Sequence, residues 1–108
     1  MRKIEIKMLE AIKNNKNWSG GNTQVKNRNY FMKLNNPSPA DIQPYSAVYL
    51  HGHNIATIWH KSGDLEVETD TLKEYPSNTT ISRLRALGAN IEIKAGKLYL
   101  DGEFITER

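Results

Sequence analysis

The sequence contains no cysteine, which excludes disulfide frameworks, thiolate zinc sites, thiol nucleophiles and CxxC redox chemistry together. Long apolar runs are missing as well. Residues 1–16 intersperse charge with apolar side chains and lack the uninterrupted apolar core of a signal peptide, and no later stretch could span a bilayer. These absences predict a soluble cytoplasmic protein without membrane contact. Acidic residues are absent from Lys13 to Ala40, where the charges are Lys13, Lys16, Lys26, Arg28 and Lys33. Neither an HExxH nor a GxSxG motif occurs. The glycine-rich Ser19-Gly20-Gly21-Asn22-Thr23 leads into a strand-like stretch rather than a helix whose N-terminus could cradle phosphate.

What is present suits one small domain. A chain of 108 residues and 12.3 kDa can bury a single apolar core without metal or disulfide support. Its net charge of +3 and pI near 9.2 give a mild bias toward anionic partners. Ile4, Met8, Leu9 and Ile12 recur at helical spacing and predict an amphipathic helix over about residues 3 to 15. Ser19-Gly20-Gly21 then breaks the chain. Asn22–Lys26 and Asn29–Leu34 read as two short strands around a polar turn. Residues 35–44, with Pro37, Pro39 and Pro44, read as a mobile loop.

The centre reads as a three-strand meander, Tyr45–His51, Ile55–His60 and Leu65–Thr69, separated by Gly52-His53-Asn54 and Ser62-Gly63. A two-residue Ser62-Gly63 turn pairs Ile58 with Val67 and His60 with Leu65. A three-residue Gly52-His53-Asn54 loop then places Val48, Leu50, Ala56, Ile58, Leu65 and Val67 on one apolar face. Tyr49, His51, Ile55, Thr57, Trp59, Glu66 and Glu68 fall on the other. A two-residue Gly52-His53 turn would instead pair Leu50 with Ile55. After Tyr75-Pro76, Thr79 or Thr80 can cap a short helix near 79–88 in which Ile81, Leu84 and Leu87 share a face and Gly88 supplies the stop. A last hairpin aligns Ile91, Ile93, Leu98 and Leu100, and Asp101-Gly102 turns the chain toward Phe104. The fold class expected is α+β, with antiparallel hairpins and two short helices, because no βαβ alternation appears.

Three segments carry a resemblance: Asn22-Thr23-Gln24-Val25, the run from Val48 to Ala56, and Thr79 to Leu87. Their NTxV, VYLHGNxIA-like and TTxxRLxAL patterns resemble, in the same order, small proteins of tailed phages and mobile elements. The chain departs from that pattern in the Pro-containing insert at 35–44 and in His53, where Asn is usual. The resemblance implies a phage setting, in which small non-enzymatic accessory and anti-defence proteins are plentiful; it brings no catalytic residues.

Two candidate surfaces follow. Tyr49, Ile55 and Trp59 form a large apolar set on the outward face of the meander, suited to a partner protein or a second copy unless a helix or the last hairpin covers it. Lys13, Lys16, Lys26, Arg28, Lys33 and Arg83 are the candidates for nucleic acid or another anion, with Arg83 and Arg85 flanking the buried stripe of the second helix. His51, His53 and His60 come near one another without a metal-ligand spacing. Ser46 and His60 are expected neighbours lacking an orienting acid. The leading expectation is therefore a non-enzymatic binding protein without a cofactor, inhibiting or modulating a host protein such as a defence nuclease. A small nucleic-acid-binding accessory protein is the alternative, and a metal-dependent enzyme a distant third.

Overall fold

The computed structural model describes residues 1–33 and 35–108. Helix α1, Lys3–Lys13, buries Met8 and Ala11 and half-buries Ile4, Leu9 and Ile12, as its apolar spacing requires. Asn14 closes it, and Asn15 follows in the left-handed region.

The expected break at residues 19–21 is instead a tight hairpin between β1, Trp18–Gly20, and β2, Thr23–Phe31. Glycine suits position 20 because the Trp18 indole lies where a Cβ would stand. Strand β2 also replaces the two strands expected on either side of residues 27–28. The polar stretch does not break it, because all nine residues pair with β3, Ile42–Leu50. On the free edge the Asn17 side chain accepts the Asn27 N–H at 2.7 Å. The strand stops at Phe31; Leu34, the end of the strand read from the sequence, lies outside the described residues.

The loop expected over 35–44 is shorter than its prolines suggest. Pro39–Asp41 form a single 3₁₀ turn, and both the N–H and the hydroxyl of Ser38 donate to Asp41 Oδ2 at 2.9 Å. Ile42 already pairs with Phe31. Pro44 is tolerated in β3 because its carbonyl side faces the point where β4, His53–Trp59, has ended. No strand there asks for the N–H that proline lacks.

Strands β3 and β4 meet at a His51-Gly52 turn, with φ of 52° and 80°, one residue earlier than either turn read from the sequence. A bulge follows between the pairs Val48↔Ala56 and Tyr49↔Asn54. Strand β5, Leu65–Val67, pairs Leu65 with Ile58 and Val67 with Ala56, two residues from the expected register. The connection His60–Asp64 is longer than a two-residue turn. A shift of two conserves faces, so Val48, Leu50 and Ala56 are buried and Ile58, Leu65 and Val67 pack against the core.

An unanticipated helix α2, Thr69–Glu74, takes over the end of the third meander strand and buries Leu72. Helix α3, Asn78–Ala86, starts ahead of the predicted caps because Ser77 accepts the Thr80 N–H at 3.2 Å. Gly88 follows its end at φ 105°. The chain finishes in β6, Ile91–Lys94, β7, Lys97–Leu100, and β8, Glu103–Glu107, with Ile93 opposite Leu98 and Ile91 opposite Leu100 as expected.

The molecule is thus an α+β protein with two antiparallel sheets, one of strands β1 to β5 and one of β6 to β8, each in sequence order. Met8, Val25, Val48, Leu50, Ala56, Leu72, Ile81, Leu84, Ile91 and Leu98 form one core linking the helices to both sheets. The five-stranded sheet contributes Val25, Val48, Leu50 and Ala56 from the same face of its ladder. Among the described residues no helix is long and apolar enough to cross a membrane.

Candidate functional site

Paired residues in a ladder share a face, so the register defines the side of the five-stranded sheet turned away from the helices. Gln24, Lys26, Arg28 and Tyr30 stand on it from β2, Tyr45, Ala47 and Tyr49 from β3, Thr57 and Trp59 from β4, and Glu66 from β5. None of these residues belongs to the core. Neither the N-terminal helix nor the last hairpin covers Tyr49 and Trp59.

The aromatic side chains on this face organise one another. The Trp59 ring lies 5.1 Å from Tyr45 in a tilted contact and 6.3 Å from Tyr30 edge to face, both favoured geometries for quadrupolar rings. Its indole N–H donates to Glu66 Oε2 at 3.1 Å. The Lys26 ammonium stands over the Tyr49 ring, 5.0 Å from its centre. Tyr30 is 56 % exposed, Trp59, Tyr45 and Tyr49 are half-buried, and Arg28, opposite Tyr45 in the register, is exposed. Beneath them Ala47 and Thr57 are buried and form a small-residue floor.

Ile55 does not join this surface. It falls at the bulge, is 2 % exposed, and lines with Leu50 a cavity of about 530 Å³ bounded by Thr71, Tyr75 and Thr80. An extra residue in one strand re-aims its side chain, which strict alternation cannot anticipate.

The basic residues also separate. Lys26 and Arg28 share the open face, so the two surfaces read from the sequence are in this respect one. Lys13 and Lys16 are exposed at the end of α1 and beyond it, and Lys33 is exposed past the end of β2. Arg83 is not available to an anion in solution. It is 3 % exposed, its Nη1 donates to Glu5 Oε2 at 2.7 Å and its Nε to Thr23 Oγ1 at 3.1 Å. Burial by itself pushes the Glu5 carboxyl up; hydrogen bonds from Ser82 and Arg83 and from the Arg2 N–H, with the Arg83 charge, outweigh this and hold it below the ordinary carboxylate value. Arg85 donates through Nε and Nη2 to the Ile91 carbonyl and thereby ties α3 to β6.

The three histidines have three different neighbours. His51 occupies the β3–β4 turn, 3.5 Å from the Asn22 amide nitrogen; His53 stacks on Tyr75 at 4.5 Å; His60 Nε2 lies 2.7 Å from Ser46 Oγ. Ser46 donates to Asn27 Oδ1, which commits its only proton. His60 Nε2 must then donate to the hydroxyl rather than take a proton from it. With Ser46 fully buried, the pair forms an internal hydrogen-bond chain across β2, β3 and the end of β4, without the arrangement of an activated nucleophile.

Tyr30 and Tyr45 escaped the sequence reading, although the signal existed. Lys26, Arg28 and Tyr30 are spaced two apart, as are Tyr45 and Tyr49 about Ala47, which is the alternation of one strand face. A turn placed at 27–28 broke the first series, and Tyr45, although it opened the strand Tyr45–His51, was not joined to Tyr49.

The fold defines the class: a small two-sheet α+β protein whose helices leave one face of the larger sheet open. Within that class the chain belongs to the Kyanoviridae Gp96 protein family, a phage protein family matched over residues 1–107. No curated protein and no solved structure matches the chain.

Proposed function

We propose that this protein is a non-enzymatic phage accessory protein that acts by stoichiometric binding, with the open face of the five-stranded sheet as its contact surface. One observation carries this reading: Tyr30, Tyr45, Tyr49 and Trp59 gather with Lys26 and Arg28 on a face that no helix covers. Large side chains with few rotamers, positioned by one another, suit binding because little freedom is lost when they are covered. The Ser46–His60 hydrogen bond supports the absence of a nucleophile, since its donor direction opposes activation of the hydroxyl.

A second reading makes the target a host protein, such as a defence nuclease that the protein inhibits or modulates. It is favoured by Tyr30, Phe31 and Met32, which are 56, 44 and 65 % exposed at the end of the β2–β3 hairpin. Apolar side chains concentrated at a protruding tip suit insertion into a protein groove.

Tagged protein recovered from phage-infected cells tests the surface. A partner held in stoichiometric amount should be lost from a Tyr45→Ala, Trp59→Ala double variant and kept by Lys94→Ala, Lys97→Ala on the smaller sheet. Equal recovery by both variants would place binding elsewhere and reject the reading.

A further inference from the structure

We infer that the open sheet face binds single-stranded nucleic acid, with Tyr45, Trp59 and Tyr30 stacking on bases and Lys26 and Arg28 pairing with phosphates; this rests on the assignment of that face as the contact surface. Charge and geometry both point to this occupant. The cations stand on β2 and the larger part of the aromatic set on the adjoining β3 and β4, so the face has a basic border beside an aromatic floor. A strand with its backbone along β2 can lay its bases across that floor.

Spacing fits the same ligand. Same-face residues two apart lie about 6.8 Å apart along a strand, so Lys26 and Arg28 match every second phosphate of a strand that rises about 3.4 Å per nucleotide. No carboxylate lies between Lys13 and Ala40, so β1 and β2 present none to a phosphate backbone. Glu66, the carboxylate on the opposite border, accepts the Trp59 indole N–H and fixes the ring. It stands three strands away from β2, beyond the aromatic floor. A duplex is a poor occupant, because its base faces are already stacked and only unpaired bases offer a free π-face to a sheet. The exposed lysines at positions 13, 16 and 33 lie off this face and supply general attraction only.

The experiment titrates the full chain with labelled oligothymidylate, oligouridylate and a DNA duplex of equal length, by fluorescence anisotropy at about 50 and about 200 mM salt. Expected is binding of a single strand in preference to the duplex, with the two homopolymers reporting whether DNA or RNA is favoured. Lys26→Ala with Arg28→Ala should lower the salt slope by about 0.7 for each phosphate left without its cation. Tyr45→Ala and Trp59→Ala should each weaken binding by about 5- to 150-fold, the range set by the removal of one stacked base. Tyr45→Phe and Trp59→Phe keep a ring and should bind nearly as well as the parent, which separates a loss of stacking from a loss of folding.

Equal affinity for duplex and single strand, or a Lys13→Ala, Lys16→Ala variant weakened as much as Lys26→Ala, Arg28→Ala, would reduce the binding to undirected charge and overturn the inference. Absence of oligonucleotide binding at low salt, with a partner protein still released on replacing Tyr45 and Trp59, would overturn the nucleic-acid assignment and leave the contact surface in place. Failure of both experiments would remove the surface itself.

Discussion

Glu5 and Arg83 are joined across 78 residues of sequence by a 2.7 Å ion pair, which ties α1 to α3. Replacing one member leaves the other charge buried and unpaired, so Glu5→Gln should cost about 3–5 kcal/mol, read from chemical denaturation. A Glu5→Leu, Arg83→Met exchange should recover most of that loss, since no charge then remains buried. The pH dependence follows from the lowered Glu5 carboxyl. Its contribution is present above the ordinary value of 4.5 and lost as pH falls through the lower folded value. Thermal stability should therefore fall as pH drops below about 4.5, and Glu5→Gln should flatten that part of the curve. Trp59 and Ile55, paired in the sequence reading as one apolar surface, should behave differently. Ile55→Ala empties a core position and should cost about 2–5 kcal/mol. Trp59→Ala removes ring–ring packing on an open face and should cost about 1 kcal/mol; equal losses would mean that the face is covered in solution.

Among the elements, the β2–β3 hairpin departs furthest from the expectation and is the simplest to check by amide exchange. The N–H of Met32 donates to the Asp41 carbonyl at 2.8 Å, and the ladder runs from Phe31↔Ile42 toward the body of the sheet. Residues 45–50 should be the most protected in β3, the amides of Asn35 and Asn36 should exchange fastest in this hairpin, and residues 35–38 should be cut first by protease. Early cleavage between Gln43 and Tyr45 would restore the longer loop. Helix α3 depends on a cap the helical spacing did not select: Ser77→Ala should cost about 1 kcal/mol, whereas Thr79→Ala should cost less, because Ser77 rather than Thr79 holds the cap hydrogen bond. Chemical denaturation of the two variants measures the difference.

Across the whole molecule, one core joins the helices to both sheets, so the protein should unfold in a single transition, with the same midpoint by far-ultraviolet dichroism and by tryptophan fluorescence. Among the described residues no three His, Asp or Glu side chains gather into a metal-binding group, and a chelator should leave that transition unchanged. A stoichiometric metal whose removal lowers the melting temperature would reopen metal-dependent chemistry.

Local pattern was enough for much of this architecture. Helical spacing of Ile4, Met8, Leu9 and Ile12, period-two alternation through Val48, Leu50, Ala56 and Ile58, and the turn at Ala95-Gly96 each depend on residues close in sequence, and their faces survive a register error of two. Absent cysteines and the missing acids of residues 13–40 are likewise properties of the chain alone. Tertiary structure decided what depends on distant neighbours. Asn27 continues a strand because Asn17 and β3 satisfy its backbone. Pro44 is admitted because β4 ends beside it. Ile55 enters the core through a bulge. Arg83 changes from a free cation to a buried partner because Glu5, on another helix, meets it. The open face arises in the same way: alternation can name Lys26, Arg28, Tyr45 and Trp59, but only the pairing of β2, β3 and β4 sets them side by side, and only the packing of every helix against the opposite face leaves them uncovered.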